Sequence, residues 1–321
     1  MNPAAWLGLI RFSHTVFALP FALLAALLAW ATPLPVMVDG GSYASGGEMM
    51  AWDTIGATFP AVRWTDWLGI LLCMVTARSA AMAFNRLADH HLDAANPRPA
   101  GRHLPAGVLS RQSVLIFTFL CAAGFVASTL LFLPNRLPLF GSVPVLAFLL
   151  GYSLAKRFTA SAHLWLGAAL ALSPLCVWAA IRGEITLEVP EDWRIPLLLA
   201  GVVTFWVSGF DIIYACQDAD YDSKADLHSV PARFGVRNAL RIAAGLHGMM
   251  LVCLIALAVV GKTAGLGILF WIVVAVTAGL VVVQHWLVSA EDLTRVNQAF
   301  FHTNAAVSVL LLVGGGLDCW V

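Results

Sequence analysis

Nine apolar stretches dominate this chain, at residues 15–32, 67–84, 114–133, 139–154, 163–181, 195–214, 242–260, 264–288 and 299–317. A helix needs about 20 apolar residues to cross a bilayer's hydrocarbon core, with about 17 to 25 the usual range. The spacing therefore predicts nine transmembrane helices. Composition agrees: 60% of residues are hydrophobic and 11% charged, against roughly a quarter charged in soluble domains. A water-soluble enzyme is excluded, and so is a disordered chain. No stretch shows the apolar–polar alternation of a lipid-facing strand, which excludes a β-barrel. The expected fold is an all-α, multi-pass membrane bundle forming one domain over residues 1–321.

The few charges give the bundle a direction. Twelve of the eighteen Lys and Arg residues fall in one set of alternate loops, five in the other, and Arg78 lies inside a span. The positive-inside rule places the richer set in the cytoplasm. An odd number of spans then puts the amino end inside and the carboxyl end outside the cytoplasmic (inner) membrane. The first stretch lacks a cationic leader and cleavage site, so it is expected to be retained as a span. The longest outer connection, 33–66, reads as a surface loop with a short interfacial helix near 49–52. Formal net charge is zero, so no field favours nucleic acid as a partner. The six cysteines contain no CxxC pair, and zinc or dithiol chemistry is not indicated.

Chemistry gathers at the cytoplasmic ends of the second and sixth spans. Asn85, Asp89 and Asp93 are spaced four apart, so a continuing helix stacks them on one face. Asp211, Asp218 and Asp222, spaced seven and four apart, form a second row. Arg78 lies seven residues before Asn85, on the same face and deeper in the membrane. Two rows of carboxylates at one depth repel unless a cation lies between them. Mg²⁺ characteristically joins a few carboxylates to substrate phosphates, so a diphosphate carried on Mg²⁺ is the natural guest. Basic partners stand on the same side: Lys156, four residues after Tyr152, then Arg157, Arg98 and Arg102. Arg and Lys both suit phosphate oxygens. His90 and His91 are poor ligands for a hard ion and read as solvent-facing. His14 reads as an interfacial hydrogen-bonding residue.

These residues resemble the UbiA superfamily of intramembrane aromatic prenyltransferases. Asn85-Arg86-Leu87-Ala88-Asp89 through Asp93 is similar to its first acidic signature. Asp211 to Asp222 resembles the second, with Tyr214, Ala215, Gln217 and Asp218 in order. The Tyr152–Lys156 pair, the run Leu227-His228-Ser229-Val230-Pro231, the loop from Asn96 to Gly107 and the run from His14 to Phe21 also match. The last two resemble the 4-hydroxybenzoate polyprenyltransferase branch. Two positions depart from the pattern: Arg86 replaces an acid that often follows the first Asn, and Asp226 stands where Gly is common.

The resemblance implies a nine-helix architecture and transfer of a polyprenyl group from its diphosphate to the ring of a small aromatic acid, 4-hydroxybenzoate, in quinone biosynthesis. It implies Mg²⁺ held by Asp89, Asp93, Asp218 and Asp222 with Asn85 assisting, and Lys156 and Arg102 on the diphosphate. Tyr152, Tyr214 and Gln217 are assigned to substrate binding, Arg78 to the acceptor's carboxylate, and Asp211 to positioning or accepting charge as the ring loses its proton. Other acceptors remain compatible with it: an acid of futalosine-route menaquinone synthesis, dihydroxynaphthoate or haem. A cation-coupled transporter is the rival class. It ranks lower because transporter ion sites lie near the midplane, often between inverted repeats, whereas these acids gather at one face.

Overall fold

The computed structural model describes residues 3–10, 17–35, 37–38, 42–43, 58–96 and 101–320. The expectations for His14, Arg98 and an interfacial helix at 49–52 lie outside these residues. Among the described residues, eight helical segments are long and apolar enough to cross a membrane, and a ninth apolar helix is shorter. In chain order the nine are α1 (Leu19–Ala31), α2 (Trp64–Ala88), α3 (Arg111–Ser128), α4 (Leu137–Gly151), α5 (Ala162–Arg182), α6 (Arg194–Ala215), α7 (Val236–Val260), α8 (Ile268–Trp286) and α9 (Asn304–Asp318). Two-residue strands, Met37–Val38 and Ser42–Tyr43, pair antiparallel in the connection from α1 to α2. Large apolar side chains such as Phe119 and Phe140 stand outward with 71% of their surface accessible. With apolar helices all round, that outward face is matched to lipid, and the chain is an integral membrane protein.

The most enclosed span is α6, packed between α5 and α7. Trp178 from α5 and Trp206 from α6 are fully buried. Apolar burial does not drive helices together in lipid, so close backbone approach matters more there. Gly167 in α5 provides it, because a Cβ at that position would collide with the Thr204 carbonyl oxygen of α6.

Prolines in the spans follow the same accounting. Pro20 falls in the first turn of α1, where its missing N–H is an orphan in any helix. Pro174 lies inside α5 and frees the carbonyl four residues earlier. The Ser173 hydroxyl donates to that carbonyl, of Leu170, at 2.9 Å. Buried Asn304 is likewise satisfied: it donates to the Phe300 carbonyl at 2.7 Å, and its Oδ1 accepts from Trp206 Nε1 at 3.0 Å and Gln284 Nε2 at 3.3 Å.

Several spans end in tighter or wider turns than hydropathy indicates. Helix α3 passes into a 3₁₀ turn at Thr129–Phe132, and α4 into another at Tyr152–Arg157. A π-helical turn, Ala299–Thr303, precedes α9.

At the end opposite the acidic rows, Arg182 closes α5 and is 4% exposed. Its Nε donates to both Asp192 oxygens at 2.8 and 2.9 Å. Nη1 donates to the carbonyls of Ala29 and Thr32, and Nη2 to that of Pro33, at 3.2, 2.8 and 3.0 Å. Trp178 Nε1 completes Asp192 at 2.8 Å. One guanidinium thus ties together the end of α1, the end of α5 and the turn before α6. Removing one member of such a buried pair strands the other charge, at a cost of about 3–5 kcal/mol. Arg182→Ala is expected to lower the thermal unfolding midpoint in detergent markedly, whereas the exposed Arg237–Glu291 pair should be dispensable on the same measurement.

Candidate active site

The first acidic row survives a break in its helix. Helix α2 ends at Ala88, and a short helix, His90–Ala95, follows. Hydrogen bonds from Asp89 N to the Asn85 carbonyl (2.9 Å) and from Asp93 N to the Asp89 carbonyl (2.7 Å) carry the four-residue repeat across. Asn85 Nδ2 donates to Asp89 Oδ2 at 2.9 Å. On the second row, α6 passes through a 3₁₀ turn, Cys216–Asp218, into a short helix, Ala219–Lys224. Two bonds tie the rows to each other: Asn96 Nδ2 to Asp218 Oδ1 at 3.3 Å and Tyr221 Oη to the Leu92 carbonyl at 3.0 Å.

Between them lies a cavity of about 280 Å³ lined by Asn85, Asp89, Asp93, Asp211, Asp218 and Asp222. Of the other expected residues, Arg78, Arg102, Tyr152, Lys156 and Tyr214 also line it. Gln217 is the exception. It is not among the lining residues, and its amide donates to the Tyr214 carbonyl at 3.3 Å.

The acids of the first row each meet a cation. Arg102 Nη1 contacts both oxygens of Asp93 at 2.6 and 2.7 Å. Arg86, the departure from the resembled pattern, approaches Asp93 at 3.8 Å and donates to Asn85 Oδ1 at 3.4 Å. Arg157 reaches Asp89 at 3.5 Å and the Ala88 carbonyl. Burial first, and the charge of Asp93 second, push the Asp89 carboxyl above its ordinary range, while Lys156 and Arg157 pull it down. Asp222 is 4% exposed, and its Oδ2 is buried with no hydrogen-bond partner. Among the described residues, no three acidic, His or Cys side chains converge into a closed metal cage. Carboxylates in opposed rows, one oxygen orphaned, suit an ion that completes its shell with a ligand's own oxygens.

Sequence reasoning missed His163, near the start of α5. It is 1% exposed, and its Nδ1 lies 2.7 Å from Asp211 Oδ2. A lone His at the edge of an apolar run has no signal marking it, since its partner lies 48 residues away. The loop after the second row is legible in part. Asp226 takes φ 54°, the left-handed conformation for which Gly is the usual residue. Beyond it, His228 N donates to the Lys156 carbonyl at 2.7 Å.

A second cavity, of about 310 Å³, runs into the bundle among apolar side chains including Ile70, Met74, Phe125, Phe132 and Val177. Arg78, Met82, Tyr152, Leu166 and Leu170 line both cavities, so the chambers meet there. An aromatic cluster borders the polar one. Phe300, on the π-helical turn, has ring centroids 4.5 Å from Tyr214, 5.3 Å from Phe210 and 5.5 Å from Phe17. The pair of chambers fits a molecule with a polyanionic head and a hydrocarbon tail.

Comparison with known proteins agrees with this geometry. The model of the UbiA prenyltransferase family matches residues 49–305. The 4-hydroxybenzoate octaprenyltransferase of Vibrio cholerae is 31% identical over 281 residues, covering 86% of this chain and 93% of its own length. The apo structure of a UbiA homolog from Aeropyrum pernix superposes with a TM-score of 0.77 at 29% identity, covering 94% of this chain and 96% of that one. A UbiA homolog from Archaeoglobus fulgidus, bound to DMAPP and Mg²⁺, shares the fold at a TM-score of 0.69 and 14% identity, over 98% and 99% of the two chains.

The orphaned oxygen of Asp222 generates a test. Burying a charge with incomplete partners is costly, and neutralising it removes that cost. Asp222→Asn is therefore expected to raise the unfolding midpoint of the ligand-free protein and to abolish the stabilisation expected from Mg²⁺ plus pyrophosphate. Thermal unfolding with and without both ligands measures the two effects together.

Proposed function

The chain belongs to the UbiA prenyltransferase family, and from that premise we propose that it transfers a polyprenyl group from its diphosphate to a ring carbon of 4-hydroxybenzoate, with Mg²⁺ as cofactor. The enzyme class is an aromatic prenyltransferase. The observation that carries the reading is the junction of an acid-lined polar chamber with an apolar one at Arg78, Met82 and Tyr152. The relatives' names support the acceptor, and the Archaeoglobus structure supports a prenyl diphosphate with Mg²⁺.

In this reading Asn85, Asp89, Asp93, Asp218 and Asp222 hold the metal. Bound Mg²⁺ supplies positive charge to the departing diphosphate. Lys156 and Arg102 donate hydrogen bonds to the same oxygens, where charge develops as the allylic C–O bond breaks. For Arg102 this means exchanging Asp93 for substrate. The apolar chamber receives the hydrocarbon chain. Phe17, Phe210, Tyr214 and Phe300 exclude water and present ring faces to the allylic cation. Arg78 receives the carboxylate of the aromatic acid, a planar partner suited to a guanidinium fork. Tyr152 borders both substrates. Asp211 takes the ring proton once the new carbon–carbon bond has formed. The positive-inside distribution supports a cytoplasmic site and amino terminus, with the carboxyl terminus outside.

Membranes carrying the protein, incubated with labelled octaprenyl diphosphate, Mg²⁺ and one acceptor at a time, test the assignment. Product is expected with 4-hydroxybenzoate. Product only with dihydroxynaphthoate or haem would replace the acceptor. Asp89→Ala and Asp218→Ala should each lower turnover by roughly 100-fold or more, the scale of losing one preorganised charge-stabilising group, while the protein still inserts. Arg78→Ala should raise KM for the aromatic acid by at least about tenfold, one 1.4 kcal/mol step, and leave KM for the diphosphate nearly unchanged.

A further inference from the structure

Three features of α5 and its surroundings converge on His163. Its ring is buried against α6, and its Nδ1 lies 2.7 Å from Asp211 Oδ2. On the other side of the ring, the backbone N–H of Val230 points at Nε2, 3.3 Å away. A backbone N–H can only donate, so Nε2 is the acceptor and the ring's proton resides on Nδ1. His163 is therefore a neutral imidazole that donates to Asp211, with its tautomer set by Val230. The backbone under it is also fastened: the Ser208 hydroxyl of α6 donates to the His163 carbonyl at 3.1 Å.

Asp211 differs from the first-row acids Asp89 and Asp93, which meet arginines. No Lys or Arg lies within ion-pair distance of it among the described residues; its close partner is this imidazole. Its side chain keeps 21% of its surface accessible and lines the polar cavity. One oxygen is thus held by a neutral donor while the carboxylate still faces the chamber. A fixed, unneutralised carboxylate is the form that accepts a proton. The oxygens of Asp93, by contrast, are both occupied by Arg102.

We infer that His163 is a positioning residue for the proton-accepting step: locked as its Nδ1–H tautomer by the Val230 N–H, it holds Asp211 toward the bound aromatic ring. This rests on the prenyl-transfer reading above. The step balances without a further reactant. The ring carbon's electron pair forms the bond to the allylic carbon, and the C–O pair leaves with diphosphate. The C–H pair then restores the aromatic ring as the proton passes to the Asp211 carboxylate and on to water. His163 keeps its own proton throughout and touches no substrate.

The test compares His163→Leu, which lacks the donor, with His163→Asn, whose amide can donate from near the Nδ1 position. Both are assayed with octaprenyl diphosphate, Mg²⁺ and 4-hydroxybenzoate, unlabelled or deuterated at the ring carbons beside the hydroxyl. His163→Leu is expected to lose roughly 30-fold in kcat, less than the roughly 100-fold or more of losing a general base outright because only the base's positioning is removed, with KM for the diphosphate within about threefold of the parent. Its isotope effect on kcat should exceed the parent's, because slowed deprotonation exposes the C–H step. His163→Asn should recover to within about fivefold of the parent. A His163→Leu enzyme with parental kcat, or Leu and Asn variants equally impaired with the parent's isotope effect, overturns the inference.

Should His163→Leu fail to fold, Val230→Pro carries the test. The first turn of the helix Val230–Phe234 accepts proline; the change removes the donor to Nε2 and replaces one buried apolar side chain with another of similar size. It should lower kcat severalfold at unchanged KM, and parental kcat overturns the tautomer lock. Asp211→Asn separates the two layers. If it turns over normally, the proton-acceptor assignment fails. If it is impaired while His163→Leu is not, only the positioning role fails.

Discussion

Concentrating carboxylates at one membrane depth is the constraint around which this protein is arranged. Unit charges a few ångströms apart in a poorly polar environment interact by several kcal/mol, so the chamber is stable only if positive charge accompanies the acids. The chain supplies part of it. Arg102 and Arg86 stand on Asp93, and Arg157 on Asp89. The remainder is left open at Asp222, whose buried Oδ2 has no partner.

The same constraint accounts for the division of labour between the two ends of the bundle. Toward the acidic chamber, charged contacts reach across the cavity and can exchange partners. At the far end, Arg182 uses its nitrogens on Asp192 and three backbone carbonyls. That contact has no stake in ligand binding and fixes three segments of chain. Stability is thus anchored where chemistry does not happen, and the chamber end is relieved of it.

Much of this was legible in residues alone, for a physical reason. Apolar run length is a direct consequence of bilayer thickness, so the spans could be counted. The four-residue period of Asn85, Asp89 and Asp93 persists because the backbone bonds of Asp89 and Asp93 keep that repeat across the break. What was not legible depends on how helices end. The 3₁₀ turn Cys216–Asp218 advances about 120° per residue instead of about 100°. Asp218 and Asp222 nevertheless stay on the cavity, whereas Gln217, expected there from the resemblance and not from that face, turns its amide to the Tyr214 carbonyl. The π-helical turn that sets Phe300 beside Tyr214 leaves no mark in hydropathy either. His163 needed the third dimension, since only the packing of α5 on α6 reveals that an imidazole at the edge of a greasy segment meets Asp211.

The two chambers join at Arg78, Met82, Tyr152, Leu166 and Leu170, contributed by α2, α5 and the turn after α4. An amphiphile seated across this threshold is measured from its headgroup end, because the polar part is gripped and the tail only solvated. On the proposed function, lengthening the tail by another isoprene unit would extend it farther along the greasy side without shifting the scissile bond. Tolerance for chain length and strictness about the reacting carbon would then be separable properties, set by different walls of one continuous passage.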